Sequence, residues 1–231
     1  ILDEKIRKQR TKKESKLPNL PLSRKSDLQL AQALVALDRH DFDRAISLLS
    51  DITPDYILRD ATLFFKAKAL RLKADQLTTG GNRSTGIKLC RDARWALMEL
   101  RDYGLGPFSD QQVDEFRRAT LCYARGLVAD QRTRDAKPMI FTLLAGAADL
   151  SAPEQETLRA TVVTVLQAEK DKDDQARLAE EALKVFPTEA KLKTYLAEAT
   201  KPAANVSTPA RKEITESRPR MAPEEILFRE A

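Results

Sequence analysis

Between about residues 26 and 200 the apolar positions return every three or four residues, the period of helices buried along one face. The spacing predicts helices at about 27–39, 41–52, 56–76, 86–102, 110–131, 136–149, 153–170, 174–186 and 189–199. Proline costs about 3 kcal/mol inside a helix but is accepted in its first turn. Pro54, Pro107, Pro138, Pro153 and Pro187 all fall at these predicted junctions or first turns. Ser109 to Gln112 and Ser151 to Glu154 both read S-x-x-[EQ], the pattern in which a serine oxygen and an acidic or amide side chain satisfy each other's helix-start donors. Thr53 and Thr188 are further N-cap candidates. The one irregular connection, LTTGGNRSTG from Leu77 to Gly86, reads as a surface insertion. The fold class expected is all-α.

Helices joined by short turns form hairpins, and the segment DDQARLAEEALKVFPTEAKLKTYLAEA, Asp173 to Ala199, shows one hinged at Pro187. First helices of successive pairs start near 27, 56, 110, 153 and 189. The last interval approaches the 34-residue period of one repeat family, and the earlier ones deviate. Ala182, Pro187 and Leu196-Ala197 resemble the small residue, helix-ending proline and Leu-small pair of a tetratricopeptide repeat. Phe42-Asp43-Arg44-Ala45 with Leu49, and Ala136 with Ile140, resemble the start of that repeat's second helix. A small residue lets two helices cross closely, and a large one four positions later fills the space beyond. The Trp, Gly and Tyr signature is mostly absent, so the resemblance, over about 27–199, is to a degenerate member.

That resemblance implies a right-handed α-solenoid of antiparallel helix hairpins, with first helices lining a concave groove. Carried over, the groove positions are Leu30 and Leu34 in the first pair, Lys68 and Arg71 in the second, and Arg118 and Arg125 in the third. A basic wall with an apolar end suits an acidic or amphipathic peptide of a protein partner.

Charge sharpens this picture only at the ends. The net charge is +5, yet residues 1–25 carry nine Lys/Arg against three Asp/Glu, leaving 26–200 almost neutral. The expected organisation is a basic flexible arm over 1–25, a helical domain over 26–200, and a Pro-rich tail over 201–231 whose PEEILFREA end has the pattern of a short helix. The arm has no aromatic residues to stack on bases, so nucleic-acid binding through residues 1–25 is the less favoured reading. No apolar run reaches the roughly 20 residues of a transmembrane helix.

Chemistry-bearing motifs are sparse. The only histidine, His40, sits among Asp38, Asp41 and Asp43 in a predicted helix-helix turn, where the aspartates serve as caps. TTGGNRSTG lacks the ending of a phosphate-binding loop. Asn82-Arg83-Ser84 and Asn205-Val206-Ser207 match the glycosylation sequon by chance composition. Cys90 and Cys122, each inside a predicted helix, read as reduced and buried, which fits an intracellular, cytoplasmic or nuclear protein. No catalytic residue, metal site or cofactor is indicated. The expectation is a non-enzymatic scaffold or adaptor within a larger complex; the alternative is an RNA- or anionic-membrane-associated factor anchored by the basic arm.

Overall fold

A computed structural model describes residues 22–104 and 106–201. The residues it describes fold into nine α-helices and no strand: α1 Leu22–Asp38, α2 Phe42–Ser50, α3 Arg59–Thr79, α4 Arg83–Tyr103, α5 Asp110–Ala129, α6 Thr133–Ala145, α7 Ala152–Ala168, α8 Lys172–Val185 and α9 Ala190–Ala199, with a 3-10 turn at Ala147–Asp149. By its contacts the chain forms one unit through Thr200 and a second from Lys201 to Ala231. All nine helices belong to the first. The predicted arm up to residue 21 and the terminal PEEILFREA helix lie outside the described residues.

Three hairpin turns share one backbone device. His40 (φ 58°), Gly81 (φ 88°) and Gln131 (φ 61°) each occupy the left-handed region between two antiparallel helices. The next residue caps the following helix: Asp41 accepts from the Arg44 N–H and Asn82 from the Thr85 N–H, so the asparagine of the first sequon is a helix cap. Four residues beyond each cap stand Ala45, Gly86 and Ala136, whose N–H groups donate to the carbonyls of Asp41, Asn82 and Arg132 at 3.0, 3.1 and 3.3 Å. Leu49, Cys90 and Ile140 follow four positions later, all buried. In the first helices, Ala33, Ala74 and Ala124 sit seven residues before each left-handed residue and are completely buried. The Ala45–Leu49 and Ala136–Ile140 pairs therefore have a third counterpart in Gly86–Cys90. At Gly86 a Cβ would come within 2.7 Å of Thr78 Oγ1, so α3 and α4 approach through a missing side chain.

Three sequence expectations are corrected here. Leu77 to Gly86 is not an insertion: α3 continues to Thr79 and α4 resumes at Arg83, and Gly80, Gly81 and Asn82 make the turn. Pro138 is neither at a junction nor in a first turn but inside α6. The missing N–H removes one ladder bond, and the Pro138 carbonyl takes an extra donor, the Thr142 hydroxyl at 3.0 Å. Both S-x-x-[EQ] capping boxes are present, while Leu58 and Glu189, rather than Thr53 and Thr188, occupy the N-cap positions of α3 and α9.

Packing is local in sequence. Each helix contacts its neighbour, and α1 with α3, α3 with α5, α5 with α7, α7 with α9 and α6 with α8 make the next-but-one contacts. The apolar interior is correspondingly divided into clusters, from Leu30, Ala33, Leu49, Ile52 and Tyr56 at one end to the larger group between α5 and α9.

The cysteine reading is overturned. Cys90 on α4 and Cys122 on α5 form a disulfide, with Cα atoms 5.7 Å apart. Cys90 and Cys122 pack with Ala74 of α3. The argument for an intracellular location from reduced thiols falls with it.

Candidate functional site

The first helices α3 and α5 and the start of α7 border a cleft of about 290 Å³, lined by Arg71, Asp75, Arg118, Leu121, Arg125 and Glu154 among others. A second cavity of about 200 Å³ adjoins it, sharing Arg118 and Glu154 and extending to Arg117 and Asp149. Counted back from the left-handed turn residues, Lys68 and Arg118 occupy the same position in successive first helices, and so do Asp75 and Arg125. Of these, Asp75 and Arg125 meet across the cleft.

Carboxylates from the neighbouring helices meet every one of these arginines. Arg71 grips Glu115 of α5 with two hydrogen bonds, Nε to Oε1 at 2.5 Å and Nη2 to Oε2 at 3.1 Å, and reaches Asp75 at 3.3 Å. Glu115 is 3% exposed, which makes this the desolvated pair of the site. Although burial opposes it, the Glu115 hydrogen bond and the nearby carboxylates raise the Arg71 guanidinium above its ordinary range. Asp75 also pairs with Arg125 at 3.1 Å. Arg118 reaches Glu154 of α7 at 2.7 Å. Glu154 is the carboxylate of the α7 capping box, accepting from the Ser151 N–H at 2.9 Å and hydroxyl at 2.6 Å. Burial works against its ionisation, yet these bonds and Arg118 hold its carboxyl below the usual range.

Of the predicted groove residues, Arg71, Arg118 and Arg125 are brought together. Lys68 lies exposed on α3, one turn from Arg71, and does not line the cleft; Leu34 is exposed on α1. Leu30 is corrected: at 7% exposure it packs with Ala33, Leu49, Ile52 and Tyr56 and offers no surface to a partner. The residues missed were the acidic ones. Asp75, Glu115 and Glu154 turn the expected basic wall into a charge-balanced lattice, because each arginine was read without the helix that faces it.

The same kind of link recurs between the other helix pairs. Tyr56 donates to Asp27 and Lys73 to Asp43; Arg117 pairs with Asp149 at 2.6 Å; Lys137 bridges Glu169 and, at 2.6 Å, Asp174; Arg159 pairs with Glu189. Burial, helped by Asp27, pushes the Tyr56 phenol up to about 12. Charge therefore stitches each pair to the next.

Comparison with protein-family models, curated proteins and solved structures gives no match. The functional reading rests on the cleft itself. Chemically it offers two kinds of group. The Arg71–Glu115 pair is buried and fixed. Arg118 and Arg125 are about half exposed, in pairs of the solvated kind worth roughly 0–1 kcal/mol. Among the described residues no helix is long and apolar enough to cross a membrane.

Proposed function

We propose that the chain is a non-enzymatic helical-array scaffold that holds a peptide or helix of a protein partner along the cleft of α3, α5 and α7. In this reading the hairpins stack as a right-handed α-solenoid of tetratricopeptide-like pairs. The divided interior, the next-but-one contacts of the first helices and the repeated left-handed turn support the stack. One observation carries the binding reading: two half-exposed, exchangeable arginines of α5, Arg118 and Arg125, converge on an open cleft whose floor is pinned by a buried ion pair. A floor already ordered loses little entropy on binding, so modest contacts suffice. The partner segment is acidic or amphipathic, its carboxylates taking the places of Asp75 and Glu154.

The test uses a photo-crosslinking side chain at Thr157, in the cleft, or at Asp92, exposed on α4, in the full-length chain exposed to native lysate. The reading expects crosslinks from 157 alone, mapping to one acidic segment and lost in Arg118→Glu/Arg125→Glu. Equal labelling from both positions, or labelling that survives the double substitution, refutes it. Deleting residues 1–21, which precede α1, leaves the crosslink intact on this reading and abolishes it if the basic arm is the binding element.

A further inference from the structure

Helix α1 carries two seams. Ser26, Leu30, Ala33 and Ala36 are buried against the rest of the unit. On the opposite side Arg24, Leu28, Ala31, Val35 and Asp38 recur at intervals of four, three, four and three, the spacing of a helix-pairing stripe. All five are exposed, Leu28 at 37% and Val35 at 39%. The corresponding faces of α3 and α5 are covered by the second helix of the preceding pair. Ala69 packs with Ala45 of α2, Lys73 pairs with Asp43 of α2, Cys122 bonds Cys90 of α4, and Gly126 lies against Ile87 of α4. Among the described residues nothing plays that part for α1. Its outer face is a helix-receiving surface without its helix.

The charges on the stripe identify the occupant. Arg24 at one end and Asp38 at the other have no ion-pair partner among the described residues. If a copy of α1 is laid antiparallel over α1 and centred on Ala31, Arg24 is level with Asp38 of the copy and Leu28 falls within one residue's rise, about 1.5 Å, of Val35. Both contacts then repeat by symmetry. The small Ala31 pair at the centre permits close approach. We infer that this chain associates with a second copy of itself through an antiparallel α1–α1 contact about a twofold axis, the closed arrangement in which one patch is its own complement. A single helix pair buries a modest area, so the dimer is a reversible one.

Sedimentation equilibrium of the full-length chain from about 1 to about 200 µM tests this. The expected result is a mass rising from one chain toward two. Val35→Glu places a charge in the stripe and weakens association roughly tenfold or more, with the far-UV circular dichroism unchanged because the site is exposed. Arg24→Asp and Asp38→Arg each weaken it, by juxtaposing like charges, and the Arg24→Asp/Asp38→Arg double variant regains the dimer. A single-chain mass at every concentration overturns the inference and assigns the face to another protein's helix. A dimer indifferent to Val35→Glu, or singles not rescued by the double variant, overturns the α1 geometry.

Discussion

Removing the Arg71 cation while leaving Glu115 in place exposes what the buried pair contributes. Glu115 is 3% exposed and its two carboxylate oxygens are held by Arg71 Nε and Nη2. In Arg71→Met a carboxylate remains at that depth without a cation, a defect that costs about 3–5 kcal/mol. Glu115→Gln is milder, about 1–3 kcal/mol, because Arg71 keeps Asp75 at 3.3 Å and the amide still accepts one hydrogen bond. Replacing both, Arg71→Met with Glu115→Gln, leaves no orphaned charge and recovers a large part of the loss. The cycle should therefore return a coupling of roughly 2 kcal/mol or more. Urea unfolding followed by circular dichroism, with m-values compared across the four proteins, measures it. Hydrogen exchange should show protection lost first in α3 and α5, where the pair resides. Coupling below about 0.5 kcal/mol, the level of a solvated surface pair, would refute the claim that this link is desolvated.

Other perturbations follow from the same geometry. Substituting Cys90 and Cys122 together by alanine should lower stability by about 3–4 kcal/mol, the loop-closure value for a bridge of 32-residue separation, and a reducing agent should then have no further effect on unfolding. The Lys137 hydrogen bond depresses the carboxyls of Glu169 and Asp174. Their stabilisation is present above the unfolded carboxylate values and is lost as acid titrates the folded ones. Burial resists protonation of Lys137, but hydrogen bonds to Asp174 and Glu169 raise its amine, so its share disappears only as alkali passes the raised value. Lys137→Met should accordingly flatten the acid limb of a stability-against-pH curve measured by urea titration. Gly86→Ala should destabilise by about 1–3 kcal/mol in thermal melts despite alanine's better helix propensity. Adding Thr78→Ala, which removes the oxygen 2.7 Å from the new Cβ, should restore most of it.

What the sequence made legible was whatever a single helix expresses by itself. Periodicity located all the helices, and Ser109 and Ser151 announced their caps because the partner lies three residues away. Pro138 misled because its penalty is one lost bond in a helix otherwise well packed through Ile140 and Leu144. Gly80 and Gly81 suggested looseness, whereas Gly81 supplies a left-handed residue that His40 and Gln131 supply elsewhere. The common repeat was obscured because α2 has 9 residues and α4 has 21, which stretches the interval between equivalent first helices. The arginines of the cleft stand on α3 and α5, the helices that the repeat reading takes as first in their pairs. Their neutralisation was not legible, since Glu115 and Glu154 reach them from helices many residues away. The disulfide was hidden for the same reason: only the crossing of α4 on α5 brings its two halves together.

The covalent bridge also sets how this unit answers to force. Gripped at Leu22 and Thr200 and drawn apart, the chain can pay out only what lies outside the ring closed by Cys90 and Cys122. The 32-residue interval inside it, carrying about two-thirds of α4 and the part of α5 that bears Arg118, is shielded from tension. About 110 Å of contour length stays stored until a thiol cuts the bond. A load transmitted along the chain would strip Arg71 and Arg125 from the cleft while Arg118 remained inside a knot that tension alone cannot untie.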